Sequence, residues 1–124
     1  MEAAMKTEKR REGDYGEELA CRYLTKKNYH IIERNYSCKT GEVDIIASDG
    51  DLIAFIEVKT RHRTDYGYPC EAVDRKKQLR LVKTAQFYLK THTWYAGLQP
   101  RMDIIEILLK GDDVFIRHLE NAFS

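Results

Sequence analysis

GEVDIIASDGDLIAFIEVKTR, residues 41–61, decides how the rest of the chain is arranged. Two apolar runs, Val43–Ala47 and Leu52–Val58, flank Ser48-Asp49-Gly50-Asp51. Asp-Gly between β-branched and aromatic runs predicts a hairpin. Side chains alternate along a strand, so Glu42 and Asp44 share a face, as do Glu57 and Lys59. A Gly50-Asp51 loop sets Asp44 opposite Glu57 and Glu42 opposite Lys59. An Asp49-Gly50 loop, or a four-residue turn over 48–51, slides the register by two and keeps the shared face. Only an odd loop or a bulge would flip one strand. The hairpin is therefore expected to put three carboxylates and one ammonium on one face, with opposed Cβ atoms about 4.5–5.5 Å apart.

Opposed carboxylates repel, and a fold tolerates them when a cation, a shared proton or solvent offsets the cost. Oxygen ligands from Asp and Glu, with waters completing the shell, suit Mg²⁺ or Mn²⁺. Lys59 could then hold or deprotonate a water beside that metal, or stabilise a phosphorane-like charge. An E-x-K triplet in a strand is also a common solvent-facing charge ladder. Here the other residues of both strands, among them Ile45, Ile46, Phe55 and Ile56, are apolar on both faces. That pattern predicts a sheet covered on both sides, away from open surface.

At 124 residues the chain has the length of one domain with a single modest core. Its 43% hydrophobic and 33% charged residues are ordinary for a globular protein. No apolar run approaches the roughly 20 residues of a membrane-spanning helix, and no signal-peptide core opens the chain, so a cytoplasmic location is expected. The net charge of +1 conceals basic clusters at Lys6–Arg11, Lys59–Arg63 and Arg75–Lys83. Such clusters attract a polyanion, or else form solvated helix faces, the reading favoured for Lys6–Arg11. Cys21, Cys38 and Cys70 are odd in number and match no zinc or CxxC spacing, so they read as reduced thiols.

Residues 1–12 are expected to form a flexible basic arm, and 13–124 a single domain. A helix should run from Gly13 or Asp14 to about Lys27, with Leu19, Ala20, Tyr23 and Leu24 as its apolar stripe. Glu17 falls at the edge of that stripe, able to look toward the sheet, and Glu18 falls nearly opposite, exposed. Tyr29–Tyr36 reads as a short strand, followed by hairpin strands at about 42–47 and 52–60. The polar loop HRTDYGYP, residues 62–69, contains turn residues. A second helix should run from an Asp74 N-cap to Lys90, burying Leu81, Val82, Ala85, Tyr88 and Leu89. Gln78 falls inside that apolar sector and Lys77 at its edge, in first turns that favour an anion or simply form a basic surface. Trp94 and Tyr95 could stack on a base or pack in the core. Strands at Arg101–Leu109 and Val114–Leu119 flank a turn at Lys110–Asp113. The order α-β-β-β-α-β-β predicts an α/β fold, one mixed central sheet with a helix on each side.

With Glu17 on a helix, Asp44 on the hairpin and the triplet Glu57-Val58-Lys59, this order resembles the PD-(D/E)XK nuclease superfamily. That superfamily has a restriction-endonuclease-like αβββαβ core around a metal site. From Gly13 to Asp103 the chain more narrowly resembles the YraN-type family, UPF0102, regarded as endonucleases related in fold to archaeal Holliday-junction resolvases. The matching pieces are GEELA at 16–20, RNY at 34–36, GEVDIIA at 41–47, FIEVKTR at 55–61, YGYPCEAV at 66–73, KKQ at 76–78 and RMD at 101–103. The resemblance implies Asp44 and Glu57 as principal metal ligands, with the Val58 carbonyl an additional one. It implies that Lys59 orients the attacking water or supports the transition state, and that Glu17 assists metal binding. Gln78 or Lys77 would supply an extra polar group from the second helix. Val43 stands where the superfamily places a proline. Resolvase-like relatives act as dimers, so a homodimer is expected, with no interface legible in the sequence.

The expected function is therefore Mg²⁺- or Mn²⁺-dependent hydrolysis of phosphodiester bonds in DNA, branched or single-stranded. Arg61, Arg63, Lys76, Lys77, Gln78 and Arg80 would lie along the nucleic acid, with weak sequence preference and strong salt sensitivity. The alternative is a non-catalytic nucleic-acid-binding or partner-recruiting module on the same fold. A hydrolase of a small phosphorylated substrate is disfavoured, since no Gly-rich phosphate loop is visible.

Overall fold

The computed structural model describes residues 8–62, 73–95 and 97–124. Its elements follow in the order α1 (Glu8–Lys26), β1 (His30–Cys38), β2 (Gly41–Asp49), β3 (Leu52–His62), α2 (Arg75–Thr91), β4 (Gln99–Lys110) and β5 (Asp113–Leu119). A 3-10 turn, Thr93–Tyr95, precedes β4. The strands form one five-stranded sheet in sequence order, antiparallel throughout except where β3 and β4 run parallel. That parallel pair needs a crossover, and α2 lies within the chain segment that makes it.

The Asp-Gly signal resolves into a two-residue turn. Strands β2 and β3 pair from Asp49↔Leu52 to Ile45↔Ile56, leaving Gly50-Asp51 as the loop. Gly50 has φ +57°, the positive value a type II′ turn requires at its first position. Both faces of the central strands are covered, as the unbroken apolar runs implied. Against α2 pack Ile46, Ile53, Phe55, Met102 and Ile104, meeting Leu81, Ala85 and Tyr88. Against α1 pack Ile45, Ala47, Ala54, Ile56, Ile105 and Ile107, meeting Ala20 and Leu24.

Helix α1 begins at Glu8, ahead of the expected Gly13, so residues 8–12 are helical rather than part of an arm. No Gly or Pro interrupts 8–12, and Glu, Lys and Arg are strong helix formers. A tertiary contact also secures the extension, since Glu12 Oε1 lies 2.9 Å from His62 Nε2 on β3. Residues 1–7 lie outside the described residues. Gly16 is buried where α1 crosses β3, and a methyl group there would collide with the Thr60 hydroxyl. Absence of a side chain at 16 thus sets how closely α1 approaches the strand.

Helix α2 starts as the sequence indicates. The Asp74 carboxylate accepts the Lys77 N–H at 2.8 Å, an N-cap bond. Thr84, outside the expected apolar stripe, is buried and bonds the Thr40 hydroxyl at 2.9 Å and the Arg80 carbonyl at 2.8 Å. Tyr95 is buried against Tyr88, while the Trp94 side chain lies outside the described residues. Cys21 and Cys38 are free thiols, and Cys70 falls outside the described residues, as does most of the expected loop 62–69. Among the described residues, no helix is long and apolar enough to cross a membrane.

A buried polar cluster joins α1, β4 and β5. Asp103, fully buried, accepts from Arg101 Nε and Nη2, each at 2.8 Å, from His118 Nε2 at 2.7 Å and from the Asn121 N–H at 3.0 Å. Arg101 also reaches the Tyr29 hydroxyl at 2.6 Å, and His118 Nδ1 lies 3.1 Å from the Tyr23 hydroxyl. Burial alone would raise the Asp103 pKa, but bonds from His118, Arg101 and the Asn121 amide hold it below the usual carboxylate range.

Candidate active site

The registers of the strands create a fork. Strand β2 stays paired with β1 down to Cys38↔Gly41, and β3 stays paired with β4 out to His62↔Leu109. Between β2 and β3 the ladder stops at Ile45↔Ile56. Asp44 is the first residue beyond it, and its Oδ2 accepts the Val58 N–H at 2.8 Å. A carboxylate thus takes the place of a backbone carbonyl at the point where the strands diverge.

Into this fork opens a cavity of about 500 Å³, lined by Asp44, Glu57, Lys59, Glu17, Glu12 and His62 among others. Val58 also borders it. Asp44 and Glu57 come from adjacent strands and both line this cavity, close enough that the Glu57 charge disfavours ionisation of Asp44. Burial pushes the Asp44 carboxyl up to about 8, reinforced by the Glu57 and Glu17 charges and opposed by the Val58 amide.

Two amines meet Glu57, which is 5% exposed. Lys59 Nζ lies 3.2 Å from its Oε2, and Lys77 Nζ from α2 pairs with the same oxygen. Burial lowers the Lys59 pKa, and the neighbouring Lys77 ammonium adds to this against the pull of Glu57. Burial acts on Lys77 in the same sense, but its bonds to Glu57 and Lys59 outweigh it and the net shift is upward. The lysine nearer the cavity is thus the easier one to deprotonate.

Glu17 enters from α1, placed by the close approach at Gly16 one residue earlier. Its pKa is raised mainly by burial, with Arg34 and an Asn35 hydrogen bond opposing. Asn35 sits on β1 at φ +55°. Asparagine is uncommon in strands and tolerates this left-handed conformation, a signal in the sequence that an Asn inside a strand has a special task. Glu12 and His62 also lie outside the sequence-derived site, because the sequence pattern starts the helix after Glu12.

The remaining expected residues are placed as follows. Gln78 turns away from the fork, its amide donating to the Val73 carbonyl at 2.9 Å, so Lys77 is the α2 residue that reaches the acids. Arg61 lies 3.5 Å from the buried Glu106, which Arg117 also approaches at 3.6 Å. Lys76 and Arg80 are exposed on α2. Arg63 lies outside the described residues. Glu42 is exposed and borders a second cavity with Lys77 and Arg80, apart from the acid pair. Glu18 is half-buried rather than exposed, drawn to Arg34 at 3.0 Å and Arg22 at 3.5 Å.

Among the described residues, no group of three His, Cys, Asp or Glu side chains is arranged to enclose a metal ion by itself. The side chains that do converge, the carboxyls of Asp44 and Glu57, suit a hard cation that retains several waters, the habit of Mg²⁺.

The fold and fork define a small mixed α/β protein with a paired-acid cleft where two strands part. Residues 16–107 match the model of the uncharacterised protein family UPF0102. A UPF0102 protein of Caldanaerobacter subterraneus subsp. tengcongensis is 44% identical over 121 residues, covering 95% of this chain and 98% of that one. One from Clostridium acetobutylicum is 44% identical over 114 residues, covering 90% and 93%. Another, from Persephonella marina, is 44% identical over 112 residues, covering 90% and 92%. This chain belongs to the UPF0102 family.

Proposed function

We propose that this protein is a divalent-metal-dependent endonuclease of the PD-(D/E)XK type, hydrolysing phosphodiester bonds in branched or single-stranded DNA. The observation that carries this reading is the Asp44–Glu57 carboxyl pair beside Lys59 in an open cleft. The element order through α1, the three strands, α2 and β4 supports a restriction-endonuclease-like core akin to that of archaeal Holliday-junction resolvases. Asp44, Glu57 and the Val58 carbonyl would hold Mg²⁺ or Mn²⁺, with Glu17 assisting. When bound, the ion supplies Lewis-acid charge at the phosphate and lowers the pKa of a water. Lys59, its pKa lowered by burial, orients that water and takes up or releases its proton. Lys77 holds Glu57 from the α2 side and adds positive charge near the phosphate. Lys76 and Arg80 lie on the exposed side of α2, suited to flanking phosphates.

Cleavage of branched, single-stranded and duplex DNA with Mn²⁺ or Mg²⁺ tests this. Asp44→Ala and Glu57→Ala should each reduce cleavage by roughly a hundredfold, no less than the outer-shell partners of metal ligands contribute. Cleavage unchanged in both would overturn the assignment.

One observation favours a second reading, a nucleic-acid-binding module without catalysis: Glu57 already has two ammonium partners, so its charge is offset without a metal. That reading gives no thermal stabilisation by Mn²⁺. The nuclease reading gives stabilisation that Asp44→Ala abolishes.

A further inference from the structure

The two edges of the sheet differ. Edge strand β1 carries an irregularity between Ile31 and Glu33 and the left-handed Asn35. Such features, with the charges of Glu33 and Arg34, keep an edge from pairing with another chain. Edge strand β5 has no break in its register with β4. All of Asp113–Arg117 is exposed, including Val114 at 36%, Phe115 at 52% and Ile116 at 37%. A long apolar edge of this kind is a template for a further strand.

The segment is also complementary to itself. Read antiparallel about Phe115, the run Asp113-Val114-Phe115-Ile116-Arg117 sets Asp113 opposite Arg117, Val114 opposite Ile116 and Phe115 opposite Phe115. Directly opposed residues of an antiparallel pair lie on the same sheet face. Charge therefore meets opposite charge twice and apolar meets apolar three times, with no like charges opposed. Neither a slide by two residues nor a parallel arrangement achieves this. In the single chain Arg117 leans on Glu106 at 3.6 Å, with its side chain 57% exposed and able to reach a second carboxylate.

We propose that β5 is the interface with a second copy of this chain. The two β5 strands pair antiparallel about a two-fold axis at Phe115 and join the five-stranded sheets edge to edge. The interface is isologous, and both exposed apolar edges are covered in one closed step. It stands independently of the nuclease reading, since none of its residues borders the acid fork.

Sedimentation of the intact protein tests it, against a chain mass of 14.6 kDa. The wild type should sediment as a dimer. Asp113→Arg and Arg117→Asp each place like charges opposite one another at two positions, and should weaken association roughly tenfold or more. Mixing those two variants should restore dimers, because each arginine of one variant then faces an aspartate of the other. The double variant should also dimerise. Phe115→Cys should oxidise to a dimer linked through position 115, since directly opposed Cα atoms lie within disulfide reach. Circular dichroism confirms that each variant is folded. A wild type that stays monomeric at every concentration, a dimer indifferent to both reversals, or failure of the mixture to reassociate would each overturn the proposal.

Discussion

Asp44 is the residue at which stability and function pull apart. Its carboxyl, ordinarily at 3.8, is pushed up to about 8 in the fold, chiefly by burial and next by Glu57. Between those values the folded protein binds more protons than the unfolded chain, so stability falls as pH rises. The metal-free wild type should therefore melt at progressively lower temperature from about pH 4 to about pH 8, as far as this group contributes. Asp44→Asn should flatten that slope and raise the melting temperature at about pH 8, while changing it little at about pH 5. Calorimetry across the range checks this, and an unchanged slope in the variant would mean that the acid pair does not carry the effect. Mn²⁺ affinity should rise over the same interval, because a cation must displace the proton that Asp44 holds. Asp103 behaves in the opposite sense. Its folded pKa is depressed, so its contribution is present above the unfolded value and is lost as pH falls through the folded one.

At the scale of elements, two contacts fix α1 against the sheet. The close approach of α1 to β3 depends on Gly16. Gly16→Ala should cost about 1–3 kcal/mol by forcing the helix off Thr60. Combined with Thr60→Ala, the loss should be partly recovered, and a double-mutant cycle by urea denaturation measures the coupling. The second contact is the Asp103 cluster. Asp103→Ala leaves Arg101 largely buried and without its main acidic partner, and should cost about 3–5 kcal/mol. Near-neutral values in these experiments would show that neither contact fixes the helix.

The hairpin and the N-cap of α2 were legible because each rests on local chemistry: a Gly-containing turn and a short carboxylate before a helix. Asp44 opposite Glu57 followed from counting across that turn. What the sequence did not disclose is tertiary. Residues 8–12 have helix-forming side chains, but the contact that secures them, Glu12 with His62, joins residues 50 apart. The choice of Lys77 over Gln78 depends on where Val73 presents its carbonyl. Alternation along β2 grouped Glu42 with the acid pair, whereas it borders a separate cavity, and it could not show that the ladder ends beside Asp44 and opens a cleft.

For the whole molecule, the distribution of charge bears on how a nucleic acid would lie. Lys76, Arg80 and Lys83 are exposed on α2, the helix from which Lys77 reaches Glu57, while Arg61 is occupied with Glu106. Binding of DNA should fall steeply with salt, and Lys76→Ala with Arg80→Ala should lower the salt slope by about two charges' worth. Arg61→Ala should instead lower stability, through Glu106, more than it lowers affinity. Fluorescence anisotropy over a salt series, beside urea melts, separates the two effects. A salt slope untouched by the α2 pair would move the nucleic-acid track elsewhere. The central claim is that Asp44 and Glu57 converge to grip a cation. Anomalous diffraction from crystals soaked in Mn²⁺ tests it most directly. The account predicts a manganese peak between those two carboxylates, with Lys59 beside it; crystals whose only peaks lie elsewhere, with Glu57 still locked to its two lysines, would contradict it.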